Sequence, residues 1–330
     1  MPRIIPSKNI NAAKLLLEYY GYDSLSYFAL HEKKKYFFSS TGKSFLSYAI
    51  INKVALVSGD PVGPAADIKL LLTEFNFLVK GANLSSCFVG VHEKSLPFLR
   101  SLNHKVIHAG DEAIISLAAY KKELLKKKVR RAEKHIESLG IVCEIYTREN
   151  IPSSYLRQIK NISEEWLHYK NEKQRGFSMT LGRIPGIDDK DCEFVIAVQH
   201  KKILGFLTFV PSFASQTLSL DMSRRKLQTP NGLTEFLFMK AFEYYKTKNI
   251  QQVSLNFATF YKHKGHHNYS IFKLLKNGVY KSLSTFYKTH QLYSFNEKFL
   301  PEWQSRYVVF EKRRHIPRYM LAIARAELNI

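Results

Sequence analysis

Asp221 and Arg224, three positions apart, are the pair in this chain whose types could carry chemistry. A carboxylate there can hold an ammonium group or take part in proton transfer, and a guanidinium can orient a phosphate or carbonyl oxygen. A surface salt bridge between the two is the alternative use. They lie in residues 219–258, SLDMSRRKLQTPNGLTEFLFMKAFEYYKTKNIQQVSLNFA. The stretch opens as a short strand and breaks at Pro230-Asn231-Gly232. A helix follows, because Leu233, Phe236, Leu237, Ala241, Tyr244 and Tyr245 recur at three- and four-residue steps. Val253 to Phe257 then alternates as a second strand. Strand, tight loop, helix, strand is a βαβ unit, and the N–H groups at its helix N-terminus favour an anionic or ester-oxygen ligand.

The same order of elements appears about 160 residues earlier. A strand from Lys53 to Val57 runs into Ser58-Gly59-Asp60-Pro61-Val62-Gly63-Pro64, then a helix from about Ala66 to Lys80, then the strand Ser86–Val91. Two tandem copies of one α/β unit are the expectation. The second copy carries the arginines, so it is expected to do the chemistry, and the first to serve as scaffold or binding surface. Further strands are expected at Tyr27–Leu30, paired with Lys35–Phe38, and at Phe45–Ile51. Thr41-Gly42-Lys43-Ser44 invites a phosphate-loop reading, but that motif needs glycine where Phe37 stands, so a turn is expected.

Between the copies lies KKELLKKKVRRAEKHIESLG, Lys121 to Gly140. Leu125, Val129, Ala132, Ile136 and Leu139 form a narrow apolar stripe. From Lys121 to Lys134 there are eight basic residues against two acidic ones. Lys126, Lys127, Arg130 and Arg131, with Lys122 and Lys134 beside them, are therefore expected to meet phosphates of RNA or lipid. The whole chain points the same way: 330 residues carry 50 Lys and Arg against 28 Asp and Glu, a formal charge of +22 that calls for a polyanionic partner. The 45% hydrophobic content predicts a well-buried core. Cys87, Cys143 and Cys192 are too dispersed for a disulfide framework or a zinc site. His263, His266 and His267 lack a carboxylate at ligand spacing, so no metal is expected. The opening residues lack a signal peptide and no run is long enough to span a bilayer, so the expectation is a cytoplasmic protein, peripheral on the inner face of the cell membrane.

Past the linker, a strand at Val142–Tyr146, a helix from Ser153 to about Tyr169 and a hairpin, Glu193–Val198 with Ile203–Val210, precede the βαβ unit. This is the order of elements in the N-acyltransferase (GNAT) fold. The acetyl-CoA loop of that fold, R/Q-x-x-G-x-G/A, is replaced by Arg224-Arg225-Lys226-Leu227-Gln228-Thr229-Pro230-Asn231-Gly232, which points to a different acyl donor.

Tyr20-Gly21-Tyr22-Asp23-Ser24-Leu25-Ser26, Gly59-Asp60-Pro61-Val62-Gly63, Gly110-Asp111-Glu112-Ala113-Ile114 and Arg175-Gly176-Phe177-Ser178-Met179 stand in order along the chain. Asp221-Met222-Ser223-Arg224-Arg225, Pro230-Asn231-Gly232 with Glu235-Phe236-Leu237, Ser254-Leu255-Asn256-Phe257-Ala258, and Lys298-Phe299 with Pro301, Trp303, Arg306 and Tyr307 complete the series. Together they resemble the cytosolic catalytic domain of the phosphatidylglycerol lysyltransferases, the multiple peptide resistance factor family. The resemblance implies an α/β (α+β) chain of two tandem GNAT-like acyltransferase domains, mixed sheets flanked by helices. The expected division is 1–118 for the first, 119–140 for a basic connecting helix, and 141–330 for the second, catalytic one. It implies transfer of an amino acid (lysine first, alanine or arginine next) from aminoacyl-tRNA to the hydroxyl of phosphatidylglycerol in an anionic phospholipid membrane, with no cofactor. Asp221 and Arg224 match the family's acidic-x-x-Arg element, Lys298 its lysine before Phe-x-Pro-x-Trp, and Glu327 its acidic residue in the last helix. Arg225, Asn231, Gly232, Glu235, Asn256 and Arg306 are expected to line the substrate site. Many members of the family carry a multi-span membrane segment, which this sequence lacks. Two alternatives stay open: the same donor with another acceptor (a different lipid, a peptidoglycan precursor or a protein), or a non-catalytic module that binds tRNA or anionic membrane.

Overall fold

Alternation builds the strands and helical periodicity covers them. In β3 (Val54–Ser58), Ala55 and Val57 pack with Ile68, Leu71, Leu72, Phe75 and Val79 of helix α2 (Ala65–Gly81). Val54 and Leu56, pointing the other way, pack with Tyr319, Ala322 and Ala326 of the last helix. Each such side chain contributes roughly 1.5–3 kcal/mol when fully buried, so a strand buried on both faces needs helices on both sides.

The computed structural model describes residues 9–171, 176–259 and 283–328. Helix α1 (Ile10–Tyr20) leads into a short 3-10 helix, Ser26–Leu30. The strand expected at Tyr27–Leu30 is corrected here: all four residues are buried, and Phe28 and His31 donate backbone bonds to Leu25 and Phe28, one turn back. A short apolar run buried on all sides has no periodicity by which to distinguish strand from helix. Strands β1 (Lys35–Phe38), β2 (Phe45–Ile51) and β3 form an antiparallel meander, and α2 carries the chain to β4 (Ser85–His92), parallel to β3. The turn between β1 and β2 is the rejected phosphate loop. Its Thr41 and Ser44 hydroxyls donate to Asp67 in the first turn of α2. Gly63 lies against Ser44, and a β-carbon on it would fall 2.3 Å from that of Ser44.

A short helix α3 (Leu96–Arg100) and the long strand β5 (Lys105–Ser116) finish the first half. Helix α4 (Lys127–Ser138) leads to β6 (Val142–Thr147), α5 (Ser153–Lys170), β7 (Glu193–Gln199), β8 (Lys202–Ser212), β9 (Thr217–Arg225), α6 (Leu233–Thr247) and β10 (Gln252–Thr259). Helix α7 (Leu283–Asn296), strand β11 (Glu302–Phe310) and helix α8 (Ile316–Leu328) follow. Strands β7–β8–β9, helix α6 and parallel β10 repeat the plan of β1–β2–β3, α2 and β4. The two copies are thus tandem α/β units of one plan. α6 and α4 cover one face of the second copy, and α5 the other.

Among the described residues eleven strands join one sheet, in the order β1-β2-β3-β4-β11-β5-β10-β9-β8-β7-β6. The final strand of each copy is exchanged. β11 lies against β4 of the first copy, β5 lies against β10 of the second, and β5 and β11 pair with each other at the centre.

Candidate active site

Asp221 is placed by a break in strand alternation. The pairing of β9 with β8 sets Leu220 opposite Phe209 and Met222 opposite Thr208, so Asp221 is the extra residue of a β-bulge. Its Oδ1 accepts from the Thr180 hydroxyl at 2.7 Å and the Leu181 N–H at 2.8 Å, and its Oδ2 from the Thr208 hydroxyl at 3.2 Å. Burial pushes its carboxyl up to about 6, against the pull of those three donors and the charge of Arg224. Arg224, also buried, donates to the Ser163 hydroxyl and lies 5.2 Å from the ring centre of Trp166, both on α5.

Asn256 comes from β10, which pairs with β9 only as far as Ser254 opposite Ser219. Where the two strands part, Asn256 adopts φ +69° and its amide donates to the carbonyls of Leu220 and Met179. Glu327 reaches in from α8 and accepts from the N–H and hydroxyl of Ser178. Asp221, Asn256 and Glu327, remote from one another in sequence, thus hold one segment, Ser178 to Leu181. Beneath it lies Lys34, whose Nζ donates to the Phe28 carbonyl at 2.6 Å and the Ser58 hydroxyl at 2.7 Å and sits 4.8 Å from the Phe177 ring centre. Burial lowers the Lys34 ammonium to about 7, opposed by the charge of Glu327.

The remaining expected residues fall elsewhere. Lys298 and Glu235 pair with each other at 2.7 Å, tying the 3-10 turn Glu297–Phe299 that follows α7 to the start of α6. Arg225 is exposed and donates to Thr229, and Asn231 is exposed. Gly232 caps α6 at φ +93° with its α-carbon against α4, where a β-carbon would stand 2.6 Å from that of Ala132. The N-terminus of α6 therefore abuts the basic helix. Lys126, Lys127, Arg130, Arg131 and Lys134 are exposed on and beside α4. Lys122 is not among them: it lies ahead of the helix, bonded to Glu133 and Glu243. Buried Glu133 takes both Lys122 and Lys240 of α6, which pins α4 down with its basic face outward. Leu139, assigned to the buried stripe, is exposed, because α4 ends at Ser138. Burial pushes the Cys87 thiol far up and Cys143 to about 12, so neither is poised as a nucleophile. Among the described residues no three His, Cys, Asp or Glu side chains are grouped to hold a metal. His263, His266, His267 and Arg175 lie outside the described residues.

Arg306, expected at the substrate site, sits in a buried network and beside a cavity that sequence reading did not foresee. It is 1% exposed and belongs to β11, the exchanged strand. Its guanidinium donates to Glu112 of β5 at 2.7 Å, to the Ser24 hydroxyl at 2.7 Å and to the Gly90 carbonyl at 3.2 Å, and it pairs with Asp23 at 2.6 Å. It lines a cavity of about 920 Å³ where the ends of β3 and β4 meet the exchanged strand. Asp23, Asp60, His92 and Trp303 line it too. The His92 N–H donates to Asp60 at 3.0 Å. Burial first, then the charge of Asp23, pushes Asp60 up to about 7, although Arg306 draws it down. The segments Tyr20–Ser26, Gly59–Gly63 and Trp303–Arg306, each noted in the sequence but given no common place, converge on this cavity in the first copy.

Residues 14–310 match the family model described as phosphatidylglycerol lysyltransferase, C-terminal. The chain belongs to this family. Among its curated relatives is the lysylphosphatidylglycerol biosynthesis bifunctional protein LysX of Nocardia farcinica, 32% identical over 312 residues, covering 92% of this chain and 27% of that protein. LysX of Mycobacterium tuberculosis (strain H37Rv) is 30% identical over 323 residues, covering 96% and 27%. The chain thus spans about a quarter of the length of these relatives. The structure of L-PGS from Bacillus licheniformis superposes with a TM-score of 0.82 over 100% of this chain and 99% of that one, at 20% identity, and so shares the fold. No helix among the described residues is long and apolar enough to cross a membrane.

Proposed function

We propose that this chain is an aminoacyl-tRNA-dependent transferase that moves lysine to the glycerol hydroxyl of phosphatidylglycerol at the cytoplasmic face of the membrane. The observation that carries the reading is the convergence of separate family segments of a lysyltransferase domain on one large cavity. An aminoacyl ester is already activated. The lipid hydroxyl oxygen attacks the ester carbonyl carbon, a new ester bond forms, the bond to the tRNA ribose oxygen breaks, and the lipid's proton ends on that oxygen. Such a reaction needs positioning and charge stabilisation rather than an energy source.

The residues divide into two tasks on this reading. Asp221, Asn256 and Glu327 are positioning residues that fix Ser178–Leu181, since in this state Asp221 already accepts three hydrogen bonds. Arg224, held by Ser163 and Trp166, stabilises negative charge on the ester or the phosphate. The tRNA backbone is met by Lys126, Lys127, Arg130 and Arg131. Helix α4 has no acidic residue in its first turn and begins instead with Lys127 and Lys128, the unfavourable sign for a helix N-terminus, so a polyanion there relieves repulsion as well as gaining contacts.

The test is transfer of radiolabelled lysine from charged tRNA into chloroform-extractable lipid, with phosphatidylglycerol liposomes present. Label in lipid with wild type and its loss with folded Asp221→Ala is the expected result. Absence of label with wild type, while tRNA still binds, would overturn the acceptor assignment.

A further inference from the structure

The outer side of α8 carries charge of one sign. Arg314 in the 3-10 turn before it, then Arg318, Leu321 and Arg325, recur at steps of four, three and four, and all four are exposed. Tyr319, Ala322 and Ala326 are buried on the other side, so the four form one outward ridge. From Lys312 to Glu327 there are five Lys and Arg against one acid, and that acid, Glu327, is taken up by Ser178. Lys312 pairs with Glu311 at 3.3 Å, but among the described residues no carboxylate pairs with Arg314, Arg318 or Arg325. Arg325 donates to the side-chain oxygen of Asn52, which brings exposed Lys53 beside the ridge. Burial first, then the charges of Arg318, Arg314 and Lys312, hold the His315 imidazole below its usual range.

An apolar ridge stands on the same side of the sheet. Helix α1 buries Ala13 and Leu17 in the core that also takes Tyr319, Ala322 and Ala326 of α8. Leu15, Tyr19 and Tyr22, the last just past its C-terminus, point outward and are 55–65% exposed. Lys14 and Glu18 are the only charges of α1, so it adds apolar contact without net charge. Helix α4 lies on the opposite side. Phe209 and Val210 are neighbours on β8 and face opposite ways, Phe209 into the core beneath α4 and α6, Val210 into the core beneath α1 and α8. The chain thus has two basic surfaces, back to back across one sheet.

We propose that the face formed by α8 and α1 is where this protein lies on an anionic phospholipid bilayer, with Arg314, Arg318 and Arg325 at the headgroup phosphates. A bilayer meets both kinds of side chain present: a negative surface for the arginines, and an apolar layer just beneath it for Leu321, Leu15 and the two tyrosines. A nucleic-acid backbone answers only the arginines. Placing a bilayer here rests on the transferase reading for the choice of partner. Docked in this way, the chain turns α4 away from the lipid, where tRNA can reach it.

Co-sedimentation of the full chain with vesicles of mixed phosphatidylglycerol and phosphatidylcholine, against vesicles of phosphatidylcholine alone, tests it without tRNA or turnover. Wild type is expected on the anionic vesicles only, and less of it as salt rises. Arg314→Gln, Arg318→Gln and Arg325→Gln together should weaken that binding about a hundredfold, and Arg→Lys at the same three positions should preserve it. Neutralising Lys126, Lys127, Arg130 and Arg131 removes more charge yet should weaken it far less, which separates a docking face from net charge. Thermal unfolding is recorded for each variant, because Arg325 also holds Asn52. Should the triple glutamine variant not fold, Arg314→Gln with Arg318→Gln decides, at about thirtyfold. Equal binding to the two kinds of vesicle, undiminished binding by the folded triple variant, a larger loss from the α4 substitutions, or a triple variant that loses tRNA but keeps vesicles would each overturn the assignment. Vesicle binding that depends on the three arginines, without any lipid labelling, would instead uphold this face and sink the transferase reading.

Discussion

Replacing Lys34 by methionine should flatten the alkaline side of the stability profile. The lysine is 4% exposed and its ammonium is lowered from 10.5 to about 7. Between those values the unfolded chain carries a proton that the folded chain has released. Stability therefore rises with pH across that window, by up to about 1.4 kcal/mol per pH unit. Below about 7 the whole penalty is present; integrated, it amounts to about 5 kcal/mol. A chain of this length gains roughly 0.7 kcal/mol/K of unfolding entropy, so the effect is about 2 °C in Tm per pH unit, or about 7 °C in all. Methionine also strips the Phe28 carbonyl and the Ser58 hydroxyl of a partner, at about 1–3 kcal/mol each. That loss does not vary with pH in this window, so the slope is diagnostic where a single Tm is not. The assay is thermal unfolding of wild type and Lys34→Met from pH 6.5 to 10.5. Parallel curves would show that Lys34 keeps its ordinary proton affinity inside the protein and would refute the reasoning.

Asp60 should act in the opposite sense and in a different window. Its carboxyl is raised from 3.8 to about 7, so folding takes up a proton and stability falls as pH climbs between those values. Asp60→Asn should remove that fall, as read by Tm from pH 4 to 7.5. Arg306→Met strands Glu112 and Asp23 without their countercharge and should cost about 3–5 kcal/mol, seen as a Tm several degrees lower; an unchanged Tm would contradict the described network. Neutralising Lys126, Lys127, Arg130 and Arg131 together should reduce the slope of log affinity for tRNA against log salt by about 3, measured by filter binding, with little change in Tm. Gly232→Ala should lower Tm by a few degrees, because the new methyl meets Ala132 at 2.6 Å from a left-handed backbone.

The parts of this fold that announce themselves in sequence are those governed by one period. The helix at Leu233, the hairpin of β7 and β8 and both βαβ units follow from apolar spacing alone. Tyr27–Leu30 does not, because burial on every side erases the period. The exchange of β5 and β11 is equally hidden: nothing in the sequence brings Glu112 and Arg306, 194 residues apart, into the buried ion pair that neighbouring strands create. The site divides the same way. Asp221 and Arg224 are conspicuous beside a glycine-containing βα turn, and they are buried and specifically held. That Asp221, Asn256 and Glu327 share one target, Ser178–Leu181, depends on tertiary contacts with no local signal. Asp60 carries a signal open to weighing, an acid in a Gly-Asp-Pro turn at the end of a crossover strand.

The exchanged strands set a schedule for synthesis. When β4 leaves the ribosome its neighbour β11 does not yet exist, and everything from His92 to Glu302 must still be translated. At ordinary elongation rates that is about 10–40 s during which β4 has an unpaired edge. Arg306 arrives equally late, so Glu112 and Asp23 wait for their cation over the same interval. The first half is therefore not an independent folding unit whose completion precedes the second. The first half is completed only when one strand near the end of the chain takes its place between β4 and β5, whereas the pairing of β5 with β10 does not involve that strand. A nascent chain stalled before Glu302 should accordingly be open to proteolysis throughout the amino-terminal half, even though most of the residues that will form its core have already been made.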